Sequence, residues 1–398
     1  MNTWQTYNLE KITTKIGSGA TPRGGKNSYK SEGISLIRSM NVYDAKFEYK
    51  DLAFIDEKQA TKLENVAVKK DDVLINITGA SVCRCTLIPE KVLPARVNQH
   101  VSIIRADRKL LHPHYLRYYL IHPEIKKYLY AQASTGATRQ ALTKNDLETL
   151  EVKIPEYVYQ EQIAETISLY DKLIENNQIR IKILEEMAQR LYTEWFVKFK
   201  FPGYKNIKMV DSGAEFGEIP EGREIKELYQ LIDIKKGKNI TRKTIKKGST
   251  PVVAGGLEPA YFHNTANTIA PVITISASGA NAGYVNIYYQ NIWASDCSYI
   301  DSNATSFIYY YYLFFISKQQ EINNLQRGSA QPHVYPKDLQ RLKTVAASSE
   351  ILEAFHKIVR NYYEEVRLLK ERNEVCSTLR DLLIENLVTG KRLLKVKQ

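Results

Sequence analysis

The chain contains two divergent copies of one sequence pattern, and this internal repeat limits the possible folds more than any other feature. Four segments of the first copy recur in the same order in the second: residues 9–12 with Gly17 match 228–231 with Gly237, 73–80 match 272–280, 118–120 match 311–313, and Gly136 with 144–147 matches Gly328 with 336–339. The repeat predicts two domains with one scaffold and different loops.

The two copies differ in length. Leu9 and Leu228 are 219 residues apart, whereas Leu147 and Leu339 are 192 residues apart, so the second copy is about 27 residues shorter. Such differences normally fall in surface loops, which vary more than the elements they connect. With 398 residues and 43% hydrophobic content, the chain is long enough for two domains with separate cores.

Each copy is followed by a long segment with apolar residues at the spacing of a coiled coil. The first seam consists of Ile163, Ile167, Tyr170, Ile174, Asn177, Ile181, Leu184, Ala188, Leu191 and Trp195. The second repeats every seven residues at Phe355, Tyr362, Leu369, Cys376 and Leu383, beside a line of Leu352, Val359, Val366 and Asn373. Asn177 and Asn373 are either buried polar residues that fix the register or residues at an exposed seam edge.

The order of domain, helix, linker, domain and helix lets the two seams be buried against each other as an antiparallel pair. The expected fold class is α+β, with two repeated α/β domains joined by two long antiparallel helices that form a coiled coil with pseudo-twofold symmetry. The predicted segments are a first domain at 1–155, a long helix at 156–200, a linker at 201–225, a second domain at 226–345, and a second long helix with a tail at 346–398.

The charge balance favours a polyanionic partner. The chain has 56 Lys and Arg against 44 Asp and Glu, which gives a formal net charge of +12 and a pI near 9.2. A nucleic acid is the expected partner, ahead of an anionic membrane surface, because the longest apolar run, 307–316, is only ten residues. The first residues lack an export signal, so a cytoplasmic location and no membrane partner are expected.

The sequence carries no motif for catalysis or for metal binding. An Asn/Asp-Pro-Pro-aromatic motif of adenine methyltransferases is excluded because the chain has no Pro-Pro dipeptide, and 17–26 lacks the Gly-Lys-Ser/Thr of a P-loop. Asp146, Glu151 and Lys153 could suggest the metal-binding acid cluster of a nuclease. The repeat instead explains them as part of a domain junction. Cys83, Cys85, His112 and His114 do not have zinc-ligand spacing, so no metal site is expected.

Candidate nucleic-acid contacts follow from basic and polar residues near glycine turns and from the polar residues after the strand-like segment 34–37. The densest basic segment, 233–247, favours phosphate contact over a merely solvated loop, and the polar side chains after the shared glycine turns suit base edges. The alternative for those turns, that they only join each domain to its helix, is about equally supported. The candidates are Arg23, Lys26, Arg38, Ser39, Asn41, Thr138, Arg139 and Gln140 in the first copy, and Lys235, Lys236, Lys238, Arg242, Lys243, Lys246, Lys247, Gln331 and His333 in the second.

Several stretches together resemble the specificity subunits of type I restriction-modification enzymes over nearly the whole chain. They are GISLIRSMNVY at 33–43, LINITGASV at 74–82, ARVNQHVSIIR at 95–105, residues 136–155 leading into QEQIA at 160–164, WFVKFKFPGY at 195–204, GEIPEG at 217–222 and LVTGK at 387–391. Many relatives have Trp after the IPEG motif, where this chain has Arg223.

The resemblance implies a subunit that recognises double-stranded DNA and has no catalytic centre or cofactor of its own. It implies two modification subunits with an S-adenosylmethionine-dependent adenine methyltransferase, and restriction subunits that use ATP and Mg for translocation and cleavage. The two domains would then read two short half-sites separated by a fixed number of unread base pairs. Two alternatives stay open: a stand-alone DNA-binding regulator, and a fused restriction enzyme active by itself.

Overall fold

The computed structural model of the chain describes residues 4–134, 140–213, 215–328 and 331–394. The chain forms two compact units, a first unit of Met1–Asn176 with Arg372–Gln398 and a second unit of Asn177–Glu371. This grouping differs from the five predicted segments because each long helix contributes one part to each unit.

The described part of the first unit contains four sheets, ordered β1-β12, β6-β3-β10-β7, β2-β11-β8-β9 and β4-β5. Its helices are α1 (Glu57–Lys62), α2 (Pro113–Ile121), α3 (Pro123–Ala133), α4 (Lys144–Glu148) and the first part of α5 (Tyr157–Tyr192). Its strands are β1 (Gln5–Asn8), β2 (Thr13–Ser18), β3 (Ile34–Ile37), β4 (Val42–Tyr43), β5 (Lys46–Phe47), β6 (Ala53–Ile55), β7 (Ala67–Val68), β8 (Val73–Asn76), β9 (Cys85–Leu87), β10 (Ala95–Val97), β11 (Val101–Ala106) and β12 (Glu151–Ile154).

The second unit has the same topology. Its sheets are ordered β15-β23, β18-β17-β21 and β16-β22-β19-β20, beside a separate β13-β14 hairpin. Its helices are α6 (Ile308–Ser317), α7 (Gln319–Asn324), α8 (Pro336–Leu339) and the first part of α9 (Ser349–Leu387). Its strands are β13 (Met209–Asp211), β14 (Glu218–Pro220), β15 (Ile225–Glu227), β16 (Lys235–Lys236), β17 (Thr250–Val253), β18 (Tyr261–His263), β19 (Val272–Ser276), β20 (Val285–Tyr288), β21 (Trp293–Ala294), β22 (Cys297–Ile300) and β23 (Lys343–Val345).

The structural correspondence confirms the repeat. In each unit one strand pairs in parallel, β10 with β3 and β21 with β17, while the other ladders are antiparallel. The longer first copy carries the β4-β5 hairpin, α1 and β7, which have no counterpart among the described strands and helices of the second unit. These additions lie between the shared strands β3 and β8. Ile34 and Val73 are 39 residues apart, whereas Thr250 and Val272 are 22 residues apart, so this segment accounts for 17 of the about 27 extra residues.

The two long helices run antiparallel within each unit. In the first unit, Asp171 on α5 pairs with Arg380 on α9 at 3.3 Å, and the Tyr159 hydroxyl donates to the Leu394 carbonyl at 3.0 Å. In the second unit, Trp195 lies with its ring centroid 5.7 Å from that of Phe355, and Arg180 pairs with Glu365 at 2.6 Å. In both units, residue numbers increase along α5 in the direction in which they decrease along α9, as in an antiparallel pair.

The seam of α5 is confirmed, whereas that of α9 drifts by one residue. Ile163, Ile167, Asn177 and Ile181 are buried, and Ile174, Leu184 and Leu191 are half-buried. On α9, Phe355 and Leu369 are buried as predicted, but Tyr363 and Ile384 are buried more deeply than Tyr362 and Leu383. At the far end of α9 the shift from Leu383 to Ile384 follows from geometry, because an α-helix of 3.6 residues per turn moves a strict seven-residue repeat off one line by about 20° per heptad.

The two seam asparagines differ. Asn177 is 4% exposed, which supports a buried polar residue, whereas Asn373 is half-buried at the seam edge. Asn177 therefore fits the buried alternative raised by the sequence, and Asn373 fits the alternative of a seam-edge residue.

The glycine that corresponds to Gly237 is Gly19, so the predicted match with Gly17 is wrong. The Gly237 amide donates to Cys297 O and the next amide donates to Ala294 O, and the Gly19 and Ala20 amides donate in the same way to Val101 O and Val97 O. A Cβ at Gly19 or Gly237 would lie 2.0 or 2.1 Å from a backbone oxygen, whereas a Cβ at Gly17 meets no atom within 4 Å. Close backbone approach therefore requires glycine at Gly19 and Gly237.

Candidate nucleic-acid interface

The basic segment of the second unit consists of β16 and an exposed, structured loop between β16 and β17. The seven predicted cations all have exposed side chains, and within the described residues none of them forms an ion pair with a carboxylate: Lys235, Lys236, Lys238, Arg242, Lys243, Lys246 and Lys247. A surface with this many unneutralised cations attracts a polyanion.

This basic loop is held by hydrogen bonds to the strands beneath it. The Trp293 Nε1–H donates to Lys238 O at 2.8 Å, and the Ile240 amide donates to Ser295 Oγ at 3.3 Å. The Lys246 amide donates to Nδ1 of the buried His263 at 3.0 Å. The Arg242 side chain donates to the Tyr261 hydroxyl at 3.1 Å. The loop therefore presents its cations in a defined arrangement.

The corresponding loop of the first unit carries fewer cations. Arg23 and Lys26 are exposed, and the turn between them has Gly24 at φ 95°, a conformation that glycine adopts without strain. The Gln59 side chain on α1 donates to Arg23 O at 3.1 Å, so the inserted helix helps to hold this loop. The two units thus differ in charge at the same point of the scaffold.

Asn41 is a structural residue, which corrects its prediction as a base-reading residue. It is fully buried, its Oδ1 accepts from the Arg38 amide at 3.0 Å, and its Nδ2 donates to Glu48 O at 2.9 Å. Its hydrogen-bonding groups are used inside the fold, so none is free to reach a base edge. Arg38 is half-buried, lies over the Tyr29 ring and donates to Asp51 O, and Ser39 is half-buried beside β8.

The structure brings the glycine turn after β8 or β19 against the segment that precedes α4 or α8. The Gly79 amide donates to Gln140 O at 2.9 Å, and the Gly279 amide donates to Pro332 O at 3.0 Å. Gln140 and Gln331 are exposed and His333 is half-buried, whereas Thr138 and Arg139 lie outside the described residues. Two motifs that lie far apart in the sequence therefore form one surface in each unit.

A cavity of about 190 Å³ opens on this surface in the second unit. It is lined by Lys236, Ala277, Asp296, Cys297, Ser298, His333, Val334, Tyr335 and Pro336. Lys236 and His333 were predicted from sequence. Asp296 was missed because a single acid in a basic protein gives no sequence signal, although its alignment with a polar residue of the first copy could have drawn attention to it.

Local structure accounts for the thiol in this cavity and for one acid at the domain junction of the first unit. Burial raises the pKa of the Cys297 thiol to about 12, so at neutral pH it is protonated and a poor nucleophile. Asp146, the acid of the junction considered above, accepts from the Thr143 amide at 2.7 Å and caps α4. Across the described ranges, no group of three or more His, Cys, Asp or Glu could hold a metal ion.

Each of the described helices is too short or too polar to cross a bilayer.

Known proteins resemble this chain along nearly its whole length. The family model for the type I restriction modification DNA specificity domain matches residues 1–186 and 220–375. The type I restriction enzyme MjaIX specificity subunit of Methanocaldococcus jannaschii is 26% identical over 382 residues, covering 86% of this chain and 87% of that protein. The HindI specificity subunit of Haemophilus influenzae is 26% identical over 203 residues, covering 50% of this chain and 42% of that protein.

A solved structure also resembles this chain in its fold. The crystal structure of a type I restriction-modification system S subunit from M. genitalium covers 100% of this chain and 97% of its own, with a TM-score of 0.62 at 15% identity. Two matched domain regions, each containing the same arrangement of sheets, account for most of the sequence. The chain therefore belongs to the type I restriction-modification DNA specificity family and carries two copies of its domain.

Proposed function

We propose that this chain is the DNA-recognition subunit of a type I restriction-modification complex, and that each domain reads one half of a bipartite site. The observation that carries the proposal is that two units with one topology present different side chains at corresponding loops. One scaffold with two sets of loops suits two unlike half-sites.

The phosphate contacts are assigned to the exposed cations. The basic loop of the second unit and Arg23 with Lys26 of the first have the charge and exposure that backbone contact requires. Phosphate contacts position a protein on the duplex and carry no sequence information, so the half-sites would be read by the neighbouring polar residues. Gln140, Gln331 and His333 are the candidates for that role, together with Ser39.

The long helices are proposed to set the gap between the half-sites. Helix α5 has 36 residues and α9 has 39 residues. At about 1.5 Å per residue they span roughly 50–60 Å, comparable with about 16 base pairs at 3.4 Å each. The spacer would be set by protein geometry and left unread.

The partners are proposed to be two modification subunits, which carry an S-adenosylmethionine-dependent adenine methyltransferase, and restriction subunits that use ATP and Mg. Helix α5 offers a surface for them, because it exposes apolar residues at helical spacing: Leu169, Leu173, Ile179, Ile183 and Met187. Exposed apolar groups of this kind mark protein interaction sites. This chain would supply recognition and no catalytic group or cofactor, and the complex would act in the cytoplasm.

Methylation mapping tests the proposal. The chain is co-expressed with the modification subunit encoded beside it, and modified adenines are located in plasmid DNA by sequencing. Modification within a two-part motif with a constant gap is expected, and only when both subunits are present. A single uninterrupted motif, or modification or cleavage by the chain alone, would contradict the proposal, and tight specific DNA binding that needs no partner would favour the regulator.

A further inference from the structure

We infer that Asp296 determines specificity in the second domain by accepting a hydrogen bond from the exocyclic amino group of a base, cytosine N4 or adenine N6. The inference rests on the proposed function and goes beyond it by naming the residue and the chemical group that it reads. Asp296 lies in the short turn between β21 and β22, beside the cavity that also contains Lys236 and His333.

The side chain and the backbone of Asp296 each accept one hydrogen bond from the segment that follows β19. Its Oδ2 accepts a hydrogen bond from the Ser278 hydroxyl, in the glycine turn after β19. Its backbone carbonyl accepts from the Ala277 amide at 3.2 Å. A carboxylate fixed in this way needs little reordering to receive a ligand, which is what base recognition requires.

The second carboxylate oxygen is available. Among the described residues no hydrogen bond to Oδ1 accompanies the bond from Ser278 to Oδ2. Lys236 and Asp296 line the same cavity, yet these two described residues do not form an ion pair with each other. An ionised carboxylate only accepts hydrogen bonds. In the major groove of DNA, the base donors that match it are the amino groups of cytosine and adenine.

The corresponding residue of the first unit is His100. The Ile77 amide donates to His100 O at 3.0 Å, and the Thr78 hydroxyl lies 2.7 Å from His100 Nδ1, which reproduces the two contacts of Asp296. One position of the scaffold therefore carries an acceptor-only group in one domain and an imidazole in the other. This difference suits two half-sites with different bases at the equivalent position.

The direction of the change in DNA affinity distinguishes base recognition by Asp296 from a general electrostatic role of this residue. Asp296 is an acid that lines a cavity with Lys236, in the unit that carries the seven exposed cations, so replacing it with a neutral residue should strengthen binding to DNA of any sequence if charge alone matters. If Asp296 accepts a hydrogen bond from a base, the same replacement weakens binding to the cognate site instead.

The test is Asp296→Asn in the full chain, co-expressed with its modification subunit. Asn keeps the size and the acceptor for Ser278 but places an amino donor where the free carboxylate oxygen lies. We expect binding of the complex to its own site to fall about tenfold or more. Plasmid methylation should show a changed base at one position of one half-site, away from cytosine or adenine and towards a base with an acceptor. The other half-site and the gap should stay the same.

The matched control is Glu221→Gln, which removes one exposed acid of the second unit outside the cavity and should leave the motif and affinity unchanged. An unchanged motif in Asp296→Asn, or tighter binding on every sequence, overturns the inference while the proposed function stands. A wild-type complex that modifies no two-part motif overturns both.

A second variant guards against loss of folding. Asp296→His introduces the side chain found at the corresponding point of the first domain, and its thermal unfolding is compared with that of the wild type. A folded Asp296→His complex with a changed base at the same single position supports the inference. A folded complex with the wild-type motif overturns it.

Discussion

Two glycines at corresponding corners of the units illustrate how single residues constrain this fold. At Gly19 and Gly237 the backbone approaches the strand end so closely that a Cβ would overlap a carbonyl oxygen. The amides of both residues donate to the neighbouring strand of the sheet, β11 or β22. The same corner begins the loops proposed to meet DNA, so the glycines position them.

Gly19→Ala and Gly237→Ala should each destabilise the chain by about 1–3 kcal/mol, because overpacking against backbone cannot be relieved by a rotamer change. Gly17→Ala is the matched control and should have no measurable cost, since its Cβ meets open space. Urea denaturation of the three variants and the wild type measures the difference. Equal midpoints for Gly17→Ala and Gly19→Ala would show the assignment of the corner to be wrong.

The charge of the basic loop is also a property of individual residues. Replacing Lys243, Lys246 and Lys247 by Gln should weaken binding of the complex to all DNA sequences alike. The dependence of log K on log salt should become shallower by about 3, since each phosphate contact contributes roughly 0.9. A salt series of duplex binding measures both effects.

The matched control replaces three exposed lysines of the same unit outside the loop, Lys200, Lys205 and Lys208. An equal change in slope for the control would mean that net charge, and not this loop, drives DNA binding.

At the scale of elements, helix α9 shows why a seam derived from sequence is approximate. Tyr363 is 1% exposed and stacks on Tyr309 with ring centroids 4.7 Å apart, whereas Tyr362 is only half-buried. The heptad pattern favours Tyr362, but the aromatic residues of α6 pack on the neighbouring position. Helical periodicity defines a face of the helix, and the partner element determines its centre.

Tyr363→Ala should therefore cost about 3–5 kcal/mol, as for other large aromatic residues removed from a core, and Tyr362→Ala clearly less. Denaturant unfolding followed by circular dichroism compares the two. The reverse order would restore the seam expected from the heptads.

The apolar face of α5 makes a prediction about assembly. Ile179→Gln combined with Ile183→Gln should weaken binding of the modification subunit about tenfold or more, because two exposed apolar side chains would no longer be buried on association. Pull-down and calorimetry with the purified modification subunit measure this. Gln178→Ala, an exposed polar position on the same helix, is the control. Unchanged affinity in the double variant would exclude this face as the docking surface.

At the scale of the whole molecule, the helix lengths lead to a prediction about the DNA gap. Removing residues 174–180 from α5 and 370–376 from α9 deletes one heptad from each helix. At 1.5 Å per residue this shortens each by about 10 Å, or about three base pairs of DNA. Methylation mapping should show the same half-sites with a smaller gap. A wild-type gap in an active deletion variant would contradict the proposal that the helices act as a spacer.

The sequence by itself determined the repeat, the order of elements, the two long helices and the exposed basic segment. These features could be predicted because periodicity, composition and turn residues are local properties of the chain. The sequence also predicted that the first copy is longer by about 27 residues, and the structure places 17 of them in a segment with a hairpin, a short helix and an edge strand.

Only the tertiary structure decided which polar residues share a surface. Asn41 is buried because its amide bonds backbone carbonyls seven and nine residues ahead, which no pattern encodes. Asp296 meets Ser278, and Lys236 shares a cavity with His333, because sheet order brings together segments far apart in the chain. Such contacts depend on strand pairing across long sequence separations, and alternation along a single strand carries no information about which strand lies beside it.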